Sequence, residues 1–235
     1  MITIDNYDEL VKKTLGNDVK FKKNKYFLPK NPFHSLLIGS TGSGKTSLLL
    51  NMLLKWMKFD KVIVCAKMNE EDKYQFLEKF FNDVAKHTKQ PVSNFFETYN
   101  NLNDLPDVST YENDGTTKII IFDDMVNEKD QNKILDYFIA GRKKGFSCFY
   151  LSQRFTNVPK VIRNNCHFYV IYNQRPKEVN IIHQDLVGDM DLKTFRKVFN
   201  ICASQKYSFL VIDMTLPVEL KYRKGFDCFY LEKTI

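Results

Sequence analysis

A run of small residues early in the chain has the spacing of a phosphate-binding loop. The stretch GSTGSGKT, residues 39–46, fits G-x-x-x-x-G-K-S/T at every defined position. It lies between an apolar segment that predicts a strand, SLLIG, and one that predicts a helix, TSLLLNMLLKWM. Because this motif requires a strand before it and a helix after it, the sequence predicts a nucleotide-binding site.

The residue types in this loop suit a triphosphate. The predicted nucleotide-binding residues are Gly39, Ser40, Thr41, Gly42, Ser43, Gly44, Lys45 and Thr46. Gly39, Gly42 and Gly44 permit a tight turn whose N–H groups point at phosphate oxygens, and the dipole of the following helix favours negative charge there. We expect Lys45 to reach the β- and γ-phosphates of ATP, and the Thr46 hydroxyl to ligate Mg²⁺.

Two aspartates end a later apolar segment. KIIIFDD, residues 118–124, predicts a strand with Asp123 and Asp124 at its carboxyl end. If they serve the nucleotide, Asp123 would hold Mg²⁺ through water and Asp124 would polarise the attacking water. Asp124 is one methylene shorter than the glutamate that many such ATPases carry. The simpler alternative is that the pair only begins a loop.

A third apolar segment, SCFYLSQRF, ends on an amide and a guanidinium. By itself it predicts a buried strand that meets solvent at Gln153 and Arg154. A polar strand end in this position is typical of P-loop ATPases in which an extra strand separates the two nucleotide-binding strands. In that arrangement the core strands follow the order 5-1-4-3-2. Gln153 would then emerge beside the γ-phosphate, where its amide can donate to phosphate and accept from the attacking water.

The alternation of apolar strands with amphipathic helices predicts an α/β fold. We expect a three-layer P-loop NTPase of the RecA/ASCE type, with a mainly parallel sheet and helices on both faces. Residues 1–30 read as a polar lead-in, and residues 31–235 as a single ATPase domain. The polar stretch 88–117 shows no clear periodicity.

The composition sets limits on partners and location. The chain has 235 residues and a net charge of +7, and its basic residues cluster in places such as KFKKNKYFLPK. Such an excess is compatible with a polyanionic partner. No apolar run is long enough to cross a bilayer, and the N-terminus lacks the layout of a signal peptide. We therefore expect an intracellular protein that is neither secreted nor in a membrane.

The ordered set of motifs resembles the FtsK/HerA superfamily of ring-forming, DNA-pumping ATPases. The resemblance rests on Arg142, Gly145, the strand at 147–151, Gln153 and Arg154. Within the superfamily, FDDM, GRKKGFSCFYLSQ, PKVIRNN and KYRKGFD look most like the poxvirus-type genome-packaging ATPases of large DNA viruses and virophages. The similarity extends over roughly residues 33–229.

This resemblance implies Mg-dependent ATP hydrolysis by a homo-oligomeric ring, a pentamer or hexamer, around double-stranded DNA. DNA would be contacted without regard to sequence and moved into a capsid, in the host cytoplasm or a viral factory, and the ATPase could stay with the virion. Arg142 matches the family's arginine finger, which reaches the neighbouring subunit's nucleotide. Its simpler role is a cation at a helix C-terminus. Residues 88–117 and 20–30 are candidates for gripping DNA.

Two alternatives stay open at this point. The chain could be a nucleotide-dependent capsid assembly factor that does not pump DNA, or a P-loop nucleotide kinase. Strand order separates the kinase from the pump, because a kinase has its second acidic strand directly beside the phosphate-loop strand. The roles of Arg154 and Arg163 are also open.

Overall fold

The structure is a computed structural model that describes residues 22–67, 72–128 and 130–228. These residues form one nine-stranded sheet in the order β3-β2-β4-β5-β1-β6-β7-β8-β9. The strands are β1 (His34–Ile38), β2 (Lys61–Ala66), β3 (Phe96–Tyr99), β4 (Lys118–Asp123), β5 (Phe146–Ser152), β6 (Phe168–Tyr172), β7 (Phe209–Asp213), β8 (Tyr222–Lys224) and β9 (Asp227–Cys228).

The predicted core order is confirmed. Strands β6, β1, β5, β4 and β2 lie side by side and pair in parallel, which is the order 5-1-4-3-2 once the added strand β3 is set aside. Strand β5 therefore separates the phosphate-loop strand β1 from the acidic strand β4. On one side β3 extends the parallel sheet, and on the other β7, β8 and β9 continue it in antiparallel fashion.

Helices cover both faces of the sheet, as predicted. They are α1 (Lys45–Asn51), α2 (Asp72–Thr88), α3 (Asn132–Ala140), α4 (Lys160–Asn164), α5 (Pro176–Leu186), α6 (Leu192–Ala203) and α7 (Val218–Lys221). Along β1, Leu36 and Ile38 point into the core beneath α3, α5 and α6, whereas Leu37 points into the core beneath α1 and α2. Every residue of β1, β5 and β6 is buried, because a parallel sheet covered on both faces leaves no strand surface to water.

The helix that follows the phosphate loop differs from the simple helix that was expected. After α1 the chain continues as a π-helix over Met52–Trp56, in which the Met57 N–H donates to the Met52 carbonyl. Met52 and Leu53 are buried in this segment. The π-helical turn therefore lies at the end of the helix that is far from the phosphate loop, and two of its residues pack in the core.

Strand β3 lies in the stretch where periodicity predicted no element. It has four residues, of which Phe96 alone is buried, and it forms the outer edge of the sheet beside β2. The Lys61 ammonium pairs with the Glu97 carboxylate across this edge at 2.6 Å. A short edge strand with one buried residue among four has no apolar run by which the sequence could reveal it.

The last described strands hold the segment that precedes β1 against the sheet. Strand β8, within the segment KYRKGFD, pairs on both sides, and β9 forms the edge of the sheet. Arg223 of β8 is buried and pairs with Asp213 at 3.0 Å, and it also donates to the Phe27 carbonyl at 2.9 Å. The ion pair and this backbone contact fasten the segment before β1 to the far end of the sheet.

The described part of the amino-terminal segment, residues 22–30, packs on this body. The Lys25 N–H donates to the Trp56 carbonyl at 2.9 Å, and Leu28 is buried. The division at residue 30 stays a prediction, and residues 1–21 lie outside the described part. Among the helices of the described ranges, none has both the length and the apolar character needed to cross a bilayer.

Candidate functional site

The glycine-rich loop, residues 39–44, connects β1 to α1. It lies where the parallel strands have their carboxyl ends, which is the carboxyl edge of the sheet; the amino edge is the opposite one. Gly42 and Gly44 have φ angles of 77° and 103°, in the left-handed region that side chains disfavour. A Cβ at Gly39 would lie 2.8 Å from the Cβ of Tyr172. Glycine is therefore required at these positions, and glycine-rich loops of this kind bind phosphates with their backbone N–H groups.

Lys45 and Thr46 follow this loop in the first turn of α1. The Lys45 ammonium donates to the carbonyls of Gly39 at 2.5 Å and Ser40 at 3.2 Å, so it lies across the mouth of the loop. Both side chains line a cavity of about 200 Å³ at this edge. The structure thus brings Lys45 and Thr46 together, and their roles toward ATP and Mg²⁺ stay predictions.

The two aspartates enter the same cavity from β4. Asp123, the last residue of the strand, is half-buried, and its carboxylate accepts a hydrogen bond from the Tyr74 hydroxyl at 2.5 Å. Asp124 is exposed and has φ 55°. A left-handed residue turns the chain sharply, and aspartate tolerates this conformation better than most residues. Both side chains line this one cavity.

Gln153 completes the cavity from the end of β5. Its side chain is exposed beside Lys45, Asp123 and Asp124 in the lining. The Gly39 N–H donates to the Ser152 carbonyl at 3.0 Å, which holds the start of the phosphate loop against the end of β5. The structure thus brings Gln153 to the phosphate loop, as the predicted strand order requires.

The lining residues that were not predicted include Lys67, Lys73 and Tyr74. Lys67 follows β2, and its ammonium pairs with Glu128 at 2.9 Å. Its position at a strand's carboxyl end is a signal that could have identified it. Lys73 and Tyr74 belong to the first turns of α2, where nothing in the helical spacing indicates that the helix begins at the cavity.

Arg142 lies away from this cavity. It belongs to the short 3₁₀ turn Gly141–Lys144 between α3 and β5, at the amino edge of the sheet, and its side chain is exposed. Its guanidinium contacts the Nε2 of His167 at 3.1 Å, and it lines a different cavity of about 510 Å³. Within one subunit, Arg142 and the phosphate loop therefore occupy opposite edges of the sheet.

Two imidazoles accompany Arg142 at the amino edge. His34 is buried, its ring centroid is 6.0 Å from that of His167, and its Nδ1 accepts from the Cys148 N–H at 3.3 Å. Burial, with smaller contributions from His167 and Arg142, lowers the pKa of His34 to about 3. Burial and Arg142 also lower the pKa of His167. The guanidinium therefore lies beside imidazoles that stay neutral at physiological pH.

Arg163 has a structural role. It is buried in α4, pairs with Asp185 of α5 at 2.5 Å, and its guanidinium lies 4.5 Å from the ring centroid of Phe155. These contacts hold the turn after β5 to α5. The Gln174 side chain reaches the same turn and donates to the Gln153 carbonyl at 3.4 Å. Arg154 is exposed and lines a neighbouring cavity of about 210 Å³ with Gln153.

The fold and the cavity together define a P-loop NTPase in which a strand separates the phosphate-loop strand from the acidic strand. The sequence profile of the poxvirus A32 protein family matches residues 18–228. The chain belongs to this family, which confirms the resemblance inferred from the motifs.

Viral packaging NTPases are among the solved structures that share this fold. The genome packaging NTPase B204 of Sulfolobus turreted icosahedral virus 2, in complex with AMPPCP, aligns with a TM-score of 0.55, 17% identity and coverage of 78% of this chain and 93% of that one. Its complex with ATP-gammaS aligns with a TM-score of 0.53 and 17% identity, and the alignment covers 78% of this chain and 93% of that one. B204, the DNA-packaging ATPase from Sulfolobus turreted icosahedral virus, aligns with a TM-score of 0.53 and 17% identity. That alignment covers 79% of this chain and 94% of the other. No curated protein sequence matches the chain.

Family membership and fold support a genome-packaging ATPase, the function that the motifs implied. The strand order argues against the nucleotide kinase, since β5 stands between β1 and β4. The cavity itself fits a nucleotide, because a glycine cradle, an ammonium and two carboxylates converge on it.

The neutral imidazoles predict a pH dependence of stability. His34 has a folded-state pKa of about 3 against an ordinary value of 6.5. Below pH 6.5, therefore, His34 is protonated in the unfolded chain but stays neutral in the folded chain. The free energy of unfolding should fall as the pH is lowered from 7 to 5, with a limiting contribution of about 1.4 kcal/mol per pH unit for this one group.

Denaturant titrations across this pH range measure the slope. His34→Asn keeps an acceptor near the Cys148 N–H but cannot titrate, so its slope should be shallower than that of the parent. The exposed His87 provides the control, since His87→Asn should keep the parental slope. An unchanged slope in the His34 variant would contradict the assignment.

Proposed function

We propose that the chain is a Mg-dependent ATPase that drives double-stranded DNA into a viral capsid. It would act inside the infected cell as a homo-oligomeric ring, a pentamer or hexamer, docked on capsid proteins. The observation that carries the proposal is the convergence of Lys45, the Asp123–Asp124 pair and Gln153 on one cavity, with β5 between β1 and β4.

The phosphates of ATP would lie on the glycine-rich loop. Its N–H groups and the start of α1 supply positive potential, and the Lys45 ammonium would exchange the loop carbonyls for β- and γ-phosphate oxygens. The Lys45 contact with Gly39 and Ser40 already places this charge at the loop's mouth. Lys67 and Lys73 add cations to the same lining.

Thr46 and Asp123 are the residues that would hold Mg²⁺. They line the cavity together, and hydroxyl and carboxylate oxygens are the ligands that this ion prefers. Bound Mg²⁺ would neutralise charge that develops on the transferred phosphoryl group. Tyr74 keeps one Asp123 carboxylate oxygen in place by donating to it. Pre-orientation of this kind reduces the reorganisation required when the ligand binds.

Asp124 and Gln153 would act on the attacking water. Asp124 would accept its proton, since the carboxylate is exposed to the cavity. The Gln153 amide can donate to the γ-phosphate and accept from the water, so its contacts would differ before and after hydrolysis. Gln174 holds the Gln153 carbonyl, which provides a path from this amide to the segment between β6 and α5.

Arg142 would complete the site of a neighbouring subunit. It is exposed at the amino edge of the sheet, where the nucleotide of its own subunit does not lie. A guanidinium near the γ-phosphate stabilises the transition state more than bound ATP. A ring that brings this edge of one subunit against the carboxyl edge of the next would supply the arginine in trans.

DNA would be bound through its phosphates. The net charge of +7 favours a polyanion, and a pump must pass every sequence in a genome. Residues 88–117 and 20–30 are the candidate contact segments. In the second of them, Lys22 pairs with Asp60 at 2.6 Å, whereas Tyr26 is 96% exposed.

The first expected outcome concerns DNA. ATP turnover by the full chain should rise when double-stranded DNA is added. Two unrelated sequences should bind equally, and binding should weaken steeply as salt increases, because contacts are to phosphates. Turnover without stimulation by DNA would instead support a non-pumping assembly factor, and a sharp preference for one sequence would contradict the pump.

The second expected outcome concerns the acidic pair, Asp123 and Asp124. Asp124→Asn should bind ATP at the parental affinity and hydrolyse it about 10²–10⁴ times more slowly, because a positioned base is lost. Asp123→Asn should lose hydrolysis through a weaker response to Mg²⁺. A filter-binding assay for ATP and single-turnover rates over a Mg²⁺ series distinguish the two defects. Parental turnover in the Asp124 variant would show that Asp124 is not the base.

The third expected outcome concerns Arg142. Arg142→Ala should bind ATP but turn over about 10³–10⁵ times more slowly, whereas Lys45→Ala should bind it poorly. Mixing the two variants should restore activity, because one supplies an intact loop and the other supplies the arginine. Gln153→Ala should gain nothing when mixed with the Lys45 variant, since Gln153 lines the cavity of its own subunit. Failure of the first mixture, although tagged mixed rings form, would make Arg142 a structural cation.

A further inference from the structure

A second cavity, of about 220 Å³, adjoins the glycine-rich loop on its other flank. The loop residues Thr41 and Gly42 line both cavities, so the loop forms the wall between them. The first cavity contains the acidic pair and Gln153, and the second contains Tyr172, Lys206 and Tyr207. A ligand that follows the loop would therefore have one end in each cavity.

Tyr207 is an unusual residue for the rim of this second cavity. It is 59% exposed and has φ 66°, a left-handed conformation that is uncommon for an aromatic residue. The turn before β7 holds it there, because the Ser208 N–H and hydroxyl both donate to the Gln205 carbonyl, at 3.1 and 2.7 Å. The fold thus maintains an exposed ring in a conformation that such residues disfavour, and such positions concentrate at functional sites.

The ring of Tyr207 lies against the phosphate loop. A Cβ built on Gly44 would be 3.3 Å from Tyr207 Cδ1, so the glycine lets the ring approach closely. The Lys206 ammonium lies 5.0 Å from the centroid of the same ring. The rim therefore offers a flat aromatic surface and a cation next to the loop that would hold phosphates.

The orientation of a nucleotide follows from these positions. The residues proposed to act on the γ-phosphate are in the first cavity, so the nucleoside end must leave the loop on another side. The second cavity adjoins the loop there, and its rim carries an aromatic ring. Planar bases stack on aromatic side chains, and a neighbouring cation suits the sugar-phosphate portion.

We propose that Tyr207 is the stacking platform for the base of the bound nucleoside triphosphate, with Lys206 beside its proximal phosphate. The inference rests on the proposed function, since it assumes that the glycine-rich loop binds a triphosphate. Stacking depends on the face of the base rather than on its edge. Tyr207 therefore contributes affinity for nucleotides in general, and purines gain more than pyrimidines because their faces are larger.

The test compares ATP with inorganic tripolyphosphate, which has the phosphates but no base. Calorimetric titrations in Mg²⁺ measure both ligands on the full chain. Tyr207→Ala should weaken ATP about 5- to 150-fold, the range that base stacking contributes, and leave tripolyphosphate unchanged. Tyr207→Phe keeps the ring and should retain ATP affinity.

Two further variants separate the ring from the backbone. Tyr207→Asn removes the ring, but asparagine tolerates the left-handed conformation, so it should lose ATP affinity as the alanine variant does. Phe80→Ala removes an exposed ring of α2 that lines neither cavity and should bind both ligands as the parent does. Circular dichroism of each variant confirms that the fold is retained.

The outcomes distinguish the inference from the function on which it rests. If the parent binds ATP and tripolyphosphate while both ringless variants bind ATP equally well, the platform is wrong and the proposed function is unaffected. If tripolyphosphate weakens along with ATP, the ring acts through the loop and the platform is again wrong. If the parent binds neither ligand, the proposed nucleotide site itself fails.

Discussion

The hydrogen-bonded register of β1, β5 and β4 is the constraint on which the rest of the molecule depends. Ile38 pairs with Ser152, and Leu151 pairs with Asp123, so the three strands end at one level. A shift of one residue would turn every buried side chain of a strand to the other face. Because both faces are packed, the apolar interiors of these strands fix the positions of the polar residues that follow them. The site is therefore a consequence of core packing.

Strand β5 also relates the two edges of the sheet. Arg142 precedes it and Gln153 follows it, and its seven residues span roughly 23 Å at the usual rise per residue. The two side chains therefore cannot reach one nucleotide within a single subunit. In the proposed ring, this strand would be a rigid link between a subunit's own nucleotide and its neighbour's, since every residue along it is buried.

The sequence predicted the parts of the site that follow from local pattern. The glycine loop, the acidic pair and Gln153 each end an apolar strand, and the core strand order followed from their combination. Tyr74 and Tyr207 could not be predicted in this way. Tyr74 and Asp123 form a hydrogen bond although they are 49 positions apart in the sequence. Tyr207 contacts Gly44 only because β7 joins the sheet beside β6. Such contacts are products of topology, and a short edge strand such as β3 leaves no periodic signal.

The two edges of the sheet handle charge differently. At the carboxyl edge, three ammonium groups share one cavity with the carboxylates of Asp123 and Asp124, so opposite charges lie together there. At the amino edge, burial keeps the imidazoles of His34 and His167 neutral beside Arg142. Protonation of either ring would place like charges a few ångströms apart in a poorly solvated setting, which is unfavourable. The neutral rings thus let the Arg142 guanidinium rest against the protein without repulsion, while its exposure leaves it available to an anionic group outside the subunit.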